Sequence, residues 1–315
     1  MSKGIFTISL DFELYWGVRD HRLLQNYGSN IKNVHIVIPR LLKLFKNYGV
    51  HCSWATVGFL FYQNKEELLT DLPKIKPGYL NKDFDPYFYI DHNELDPVYH
   101  FSPELINMIM DTPGQEIGTH TFSHFYALER NTTLEQFKSD IEVSIAKAKE
   151  LGIDIGSIVF PRNQYSDAHI KICQQLGIKV YRGNEESGIY QPVSREQETI
   201  YRRAIRLLDT YINITGHHCH KIPQAAEIIN VPASRFLRPY SKKLKMIQKL
   251  KFNRIRESME NAAANGLIYQ LWWHPHNFGS NIEENFSFLE KILKDVEYIS
   301  IRFCDSILSS WFNLE

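Results

Sequence analysis

The 315-residue sequence has few cysteines, no excess of either charge and no long apolar run. Its four cysteines lie far apart without a Cys-x-x-Cys pair, which argues against a disulfide framework and a structural zinc knuckle: Cys52, Cys173, Cys219 and Cys304. Lys+Arg and Asp+Glu number 36 each, so no global field attracts a polyanion. We therefore expect no nucleic-acid partner.

The sequence also lacks any apolar stretch of about 18 residues that could span a bilayer. The apolar run at 4–10 is too short for a secretory signal peptide, which predicts a cytoplasmic protein. An apolar content of 43% is enough to bury a large core. We interpret 1–315 as a single catalytic domain.

What the sequence does contain is an alternation of short β-rich runs with segments of helical periodicity. The predicted strands are 4–10, 51–57, 116–119, 157–160, 178–181, 267–272 and 298–301. The predicted helices are 34–45, 133–148, 167–176, 244–264 and 283–293. Repeated βα units predict an α/β fold with a parallel sheet, a distorted (β/α) barrel of about seven strands. Two segments interrupt the pattern, near 76–99 and 184–241.

Polar residues that could carry chemistry follow several predicted strands, and in such barrels the active site lies at those strand ends. His120 and His124 are spaced to share one face of a helical turn and bind one divalent ion, or they are two unrelated surface histidines. Asp11 and Glu13 alternate along an apolar strand, and two adjacent buried carboxylates usually require a cation or a division of roles. The alternative is a solvated pair of loop acids.

Two histidines and one carboxylate would form a three-ligand metal site with open positions for water and a substrate oxygen. The remaining carboxylate would act as a general base on the attacking water. These residues predict metal-dependent hydrolysis of an acyl compound.

The motifs resemble those of the polysaccharide deacetylase family, carbohydrate esterase family 4. The first family motif, usually Thr-Phe-Asp-Asp, is matched by the segment 9–13, and the resemblance implies that Asp11 is the base and Glu13 a metal ligand. The second motif, His-Ser/Thr-x-x-His, is matched by His120, Thr121 and His124, which implies two further ligands. The implied cofactor is one divalent ion, zinc being the first choice.

Later motifs are matched more loosely. Pro161 and Arg162 resemble the third motif, which implies that Arg162 pairs with Asp11 and keeps it ionised, the alternative being a surface ion pair. The last motif, a strand ending in a histidine that protonates the leaving amine, is matched by His274, with His276 as the alternative acid. Four residues are candidates for contact with substrate: Asn163, Arg182, Trp273 and His276.

The resemblance implies removal of an N-acyl group, N-acetyl being the expected one, from an amino sugar. A cytoplasmic enzyme would act on a glycan precursor for surface polysaccharide. The aromatic residues of 76–99 either stack on sugar rings or belong to the core: Tyr79, Phe84, Tyr87, Phe88 and Tyr89. The alternatives are hydrolysis of a non-sugar amide such as a cyclic ureide or imide, and a catalytically silent glycan-binding barrel.

One further segment, 238–256, carries eight basic residues and no acid. Such runs are usually solvated helix faces, but apolar residues interleave with these basic ones. Peripheral contact with an anionic membrane is the second interpretation.

Overall fold

The computed structural model describes residues 4–224, 226–299 and 302–303. Within them, nine strands form one sheet in which every strand pair is parallel. The strands are β1 Ile5–Phe12, β2 Cys52–Thr56, β3 Gln115–Thr119, β4 Ser157–Val159, β5 Val180–Arg182, β6 Ile229–Asn230, β7 Arg235–Phe236, β8 Ile268–Trp273 and β9 Arg302–Phe303.

The strand order is β6-β5-β4-β3-β2-β1-β8-β7, and β9 pairs with the first residues of β1. The sheet curls into a half-barrel, which confirms the predicted α/β barrel class. Strand β1 lies deep in this sheet, and all eight of its residues are buried. A strand covered on both faces is typical of parallel α/β sheets.

Helices cover the sheet, and single turns of 3-10 helix occur at several strand ends. The helices are α1 Leu24–Lys32, α2 Val34–Tyr48, α3 Lys65–Leu68, α4 Pro86–His92, α5 Pro97–His100, α6 Pro103–Met110, α7 Leu134–Glu150, α8 Asp167–Gln175, α9 Ile200–Asp209, α10 Gln248–Asn265 and α11 Ile282–Tyr298. Among the described residues, no helix combines the length and apolarity needed to cross a membrane.

The strongly periodic helices form where the sequence predicts them. Helix α2 buries apolar residues at helical spacing and stops at Gly49, whose φ of 60° is strained for residues with a side chain. Helix α7 starts with a capping box, in which the Thr133 and Gln136 side chains satisfy each other's backbone N–H groups.

The weakly patterned segments contain more structure than the sequence predicts. The segment 76–99 contains α4 and the start of α5, and 184–241 contains α9, β6 and β7. The predicted strand at 298–301 is wrong at its start, because Tyr298 is the last residue of α11. Residues 300–301 lie outside the described residues, and the strand there is β9 at 302–303.

Candidate active site

The candidate site lies at the carboxyl ends of the strands, as a parallel barrel requires. Asp11 is the second-last residue of β1, and Glu13 follows that strand directly. His120 follows β3, and His274 and His276 follow β8, a direct neighbour of β1. Side chains that are distant in sequence therefore converge.

Glu13 is the centre of this group, because four imidazoles surround its buried carboxylate. The Nε2 atoms of His124 and His120 lie 3.1 and 3.5 Å from Oε2. Those of His276 and His274 lie 3.0 and 3.7 Å from Oε1. Burial raises the pKa of Glu13, but the charge of His274 and hydrogen bonds from the other three imidazoles outweigh it and hold the pKa well below its usual value.

The first histidine pair places two Nε2 atoms on the same side of Glu13. His120 Nδ1 lies 2.8 Å from the Val159 carbonyl, which can only accept, so Nδ1 carries a proton and Nε2 is the atom that can ligate a cation. His124 is buried, and burial lowers its pKa to about 4, which keeps the imidazole neutral. Two imidazole nitrogens beside an ionised carboxylate form a donor set for a divalent cation.

The backbone that carries this pair is a loop, and the predicted helical turn is wrong. Thr121 and His124 have φ values of 64° and 60°, in the left-handed region. Such strain persists only where surrounding contacts hold it. The rings nevertheless converge, with centroids 5.0 Å apart.

Asp140 on α7 supplies those contacts. Its carboxylate accepts the N–H groups of Phe122 at 2.7 Å and Ser123 at 3.2 Å, and also the Ser123 hydroxyl. Burial raises the pKa of Asp140 to about 6 against the effect of these hydrogen bonds. The sequence contains a signal for this role, because Asp140 is an acid on the otherwise buried face of a predicted helix.

The second pair is organised by Asn277, whose amide assigns a different tautomer to each ring. Its Nδ2 donates to His276 Nδ1 at 3.3 Å, so His276 carries its proton on Nε2 and donates to Glu13. Its Oδ1 accepts from His274 Nδ1 at 3.1 Å, which leaves the lone pair of His274 on Nε2. Tyr27 on α1 also donates to His276 Nδ1, at 2.8 Å.

His274 is the more accessible of this pair. Its side chain is 22% exposed, against 4% for His276, and its Nε2 lies 3.6 Å from Asp11 Oδ2. A residue that exchanges a proton with substrate must reach it. The geometry therefore separates the two histidines that the sequence leaves as alternatives.

Asp11 is held by Arg182 through two parallel hydrogen bonds of 2.7 and 2.8 Å. Burial raises the pKa of Asp11, but Arg182, His120 and His274 outweigh it and lower the pKa overall. The predicted pairing of Arg162 with Asp11 is wrong. Arg162 pairs instead with Asp20, because its strained turn after β4 places the guanidinium over the Tyr126 ring at 3.8 Å.

A cavity of about 620 Å³ adjoins the site through Trp272, which lines it and whose ring lies 5.7 Å from the His274 ring. Asn163 lines it and accepts from Arg182 at 3.3 Å. The prediction that Trp273 contacts substrate is wrong, because its side chain is fully buried and stacks on Phe278. Its neighbour Trp272 projects to the other side of β8 and lines the cavity.

The aromatic residues of 76–99 mainly serve the core. Tyr79 and Tyr87 are buried, and none of the five predicted rings lines the cavity. The Tyr79 hydroxyl accepts from the Tyr126 N–H at 2.7 Å, which fixes the chain just beyond His124. These residues support the site from behind.

Glu13 belongs to two groups of potential metal ligands within the described residues, one with His120 and His124 and one with His274 and His276. The first group fits a cation better, because both imidazoles are buried, burial keeps His124 neutral, and the Val159 carbonyl holds the Nδ1 proton of His120 so that its Nε2 faces Glu13. In the second group, His276 turns an N–H toward Glu13.

Comparison with known proteins gives a family match. The family model described as polysaccharide deacetylase matches residues 32–181, a range that contains His120 and His124 but precedes β8. No curated protein matches the chain. The resemblance predicted from the motifs is confirmed over this range.

Solved structures extend the likeness over nearly the whole chain. A putative polysaccharide deacetylase from Mycobacterium smegmatis has a TM-score of 0.59 at 12% identity, covering 94% of this chain and 85% of that one. PuuE allantoinase has a TM-score of 0.52 at 10% identity, with 93% and 84% covered. A carbohydrate esterase family 4 pseudoenzyme from Bacillus anthracis has a TM-score of 0.45 at 10% identity; 96% of this chain matches, and it spans 63% of the pseudoenzyme's length.

Proposed function

We propose that this chain, which is related to the polysaccharide deacetylase family, hydrolyses the N-acyl group, specifically N-acetyl, of an amino sugar. One observation carries the proposal. An ionised carboxylate held by an arginine, Asp11 with Arg182, lies beside a carboxylate and two buried histidines suited to a cation. A catalytically silent glycan-binding barrel would need neither a base nor a proton donor.

Glu13, His120 and His124 would hold one divalent ion, with zinc the first choice for this N/O donor set. When bound, such an ion polarises an acyl carbonyl and makes water more acidic. Val159 and Asp140 keep the two imidazoles oriented without contacting the substrate themselves.

Asp11 would remove a proton from the attacking water, since Arg182 keeps it ionised. The hydroxyl oxygen then bonds to the carbonyl carbon. His274 would act in its doubly protonated form: Nδ1 keeps the proton that it donates to Asn277, and Nε2 gives its proton to the amine nitrogen as the C–N bond breaks. This step is needed because an unprotonated amine is a poor leaving group. The products are a carboxylate and a free amino sugar.

The size of the cavity supports a sugar over a small ureide or imide. At about 620 Å³ it is in the range of pockets that enclose drug-sized ligands. Aromatic and polar side chains both line it, including Trp272 and Asn163, a composition that suits sugar rings and their hydroxyls. We extend the proposal to a precursor of surface polysaccharide.

The test compares Asp11→Asn with Asp154→Asn, which changes an exposed loop acid. Acetate release from N-acetylglucosamine oligosaccharides should fall roughly 10²–10⁴-fold in Asp11→Asn, the size of a general-base contribution. Metal content, measured by elemental analysis, should stay at the wild-type level, and Asp154→Asn should match wild type in both assays. An unchanged rate in a folded Asp11→Asn protein would overturn the mechanism.

A further inference from the structure

The cavity beside the site is strongly cationic. Five arginines line it, Arg162, Arg203, Arg206, Arg235 and Arg238, against two acids, Glu185 and Glu198. Most of these arginines come from the 184–241 segment, which interrupts the regular βα pattern. The chain as a whole has no net charge, so this concentration is local.

Three of the five arginines have carboxylate partners. Arg162 pairs with Asp20, Arg206 with Glu198, and Arg235 with Asp209 at 3.3 Å. These pairs anchor the cavity wall and neutralise part of its charge.

The other two, Arg203 and Arg238, form no ion pair within the described residues. Arg203 is exposed on α9. Arg238 is half-buried, and its Nε donates to the Thr210 hydroxyl at 3.0 Å. Burial lowers the pKa of Arg238, and the nearby charges of Arg206 and Arg203 lower it further. Guanidiniums that repel one another around an open cavity favour binding of an anion there.

The number of unpaired guanidiniums indicates which kind of anion fits the cavity. One carboxylate would neutralise a single guanidinium, whereas a diphosphate carries several negative charges and has oxygen atoms on all sides. Guanidiniums bind phosphate oxygens in pairs of parallel hydrogen bonds. Two unpaired arginines with a third beside them therefore suit a diphosphate better than an acidic sugar.

Two aromatic residues that line the cationic cavity also contact the catalytic residues. The Phe236 ring lies 5.9 Å from the Arg238 guanidinium and 5.8 Å from the His274 ring. Trp272 stacks under Arg182 at 4.2 Å. The anion site and the proposed proton donor are therefore neighbours, with Phe236 packed against both.

We propose that the arginines bind the diphosphate of an activated amino sugar and place its acylamino group at His274 and Asp11. The position of the acyl group rests on the proposed function, but the anion site stands on the cavity alone. A nucleoside diphosphate and a lipid diphosphate share this chemistry.

The first experiment is calorimetric titration with inorganic pyrophosphate. Because pyrophosphate also binds divalent ions, the titration uses protein dialysed against a chelator. Wild type should bind, and Arg203→Gln/Arg238→Gln should bind roughly tenfold or more weakly. The exposed single variant Arg203→Gln, which should not disturb folding, should be weaker as well.

The matched control is Arg256→Gln, which removes an arginine that pairs with Glu260 on α10 and does not line the cavity. It should bind pyrophosphate as wild type does. No binding to wild type, or equal binding to wild type and the double variant, would overturn the inference.

Two further arms separate the sources of the diphosphate. Uridine diphosphate N-acetylglucosamine in solution and vesicles containing a polyprenyl diphosphate N-acetylglucosamine are each compared with pyrophosphate. Tighter binding of the first indicates a nucleotide substrate, and of the second a lipid-linked one, whereas weaker binding of both overturns the role of the cavity in substrate recognition.

The two proposals fail in different ways. Arginine-dependent pyrophosphate binding by a protein that releases no acetate from any N-acetyl sugar would support the anion site and contradict the deacetylase activity. Identical acetate release by wild type and Arg203→Gln/Arg238→Gln, on both diphosphate-linked sugars, would support the deacetylase activity and contradict the role of the arginines.

Discussion

The two histidine pairs that surround Glu13 differ in what holds their Nδ1 atoms. His120 donates its Nδ1 proton to a backbone carbonyl, and His124 is buried and neutral. His276 instead accepts at Nδ1, from Tyr27 and Asn277, and turns an N–H toward Glu13. His274 lies between these extremes, partly exposed and close to Asp11.

The comparison shows that distance to a carboxylate does not by itself define a metal ligand. All four imidazoles lie within 3.7 Å of Glu13. For His120, His274 and His276, the neighbour of Nδ1 decides which ring nitrogen carries a proton, and this distinguishes ligation from orientation and proton transfer.

The largest effect is expected when one histidine pair at a time is replaced by alanine. His120→Ala/His124→Ala should lose the ion entirely, from about one per chain to none, since two of its three ligands are gone. His274→Ala/His276→Ala should retain it. Elemental analysis of identically purified proteins measures both, and thermal unfolding checks that each variant is folded.

Loss of the ion from both double variants would mean that the pairs ligate jointly. Retention in both would mean that neither pair forms the site. Either result would remove the distinction drawn from the tautomers.

The sequence could predict the ligands because they are placed by local rules. Asp11, Glu13, His120 and His274 lie at the ends of strands that are recognisable from apolar runs, and strand ends of a parallel sheet meet at one edge. The pattern did not need to specify side-chain conformation for these residues to converge.

The sequence could not choose between Arg162 and Arg182, because that choice depends on the curvature of the sheet. Arg162 follows β4, and Arg182 is the last residue of the neighbouring strand β5. Arg182 reaches across the interior of the half-barrel to Asp11, whereas the strained turn at Arg162 directs it to Asp20. A reach over several strands leaves no signal in local periodicity.

Removing each arginine in turn gives the next largest effect. In Arg182→Gln, the pKa of Asp11 should rise, since the opposite charge that lowers it is lost. Asp11 must be ionised to act as base, and its depressed pKa preserves activity down to low pH. As the solution is acidified, kcat/KM of this variant should therefore fall at a higher pH than kcat/KM of wild type. The low-pH side of the kcat/KM profile, its acid limb, should be unchanged in Arg162→Gln.

Arg182→Gln leaves the buried Asp11 carboxylate without its partner, which typically lowers the free energy of unfolding by about 3–5 kcal/mol. A second variant that keeps the charge is therefore needed as a control. Arg182→Lys keeps the charge and loses the paired hydrogen bonds. Its acid limb should lie between those of wild type and Arg182→Gln. An acid limb that moves in Arg162→Gln and not in Arg182→Gln would reverse the assignment of the two residues.

The smallest expected effect concerns Tyr27. The sequence does not single out this residue, because α1 buries only Gly28 and Ile31 and therefore shows little helical periodicity of apolar residues. Tyr27→Phe removes one of two donors to His276 Nδ1 and leaves Asn277 in place. If His276 acts by orienting Glu13, metal affinity should weaken by roughly tenfold, the lower end of what such supporting hydrogen bonds contribute. Competition with a metal-binding dye measures this, with the exposed Tyr201→Phe as control. A Tyr27→Phe protein with wild-type affinity would show that Asn277 alone fixes the tautomer of His276.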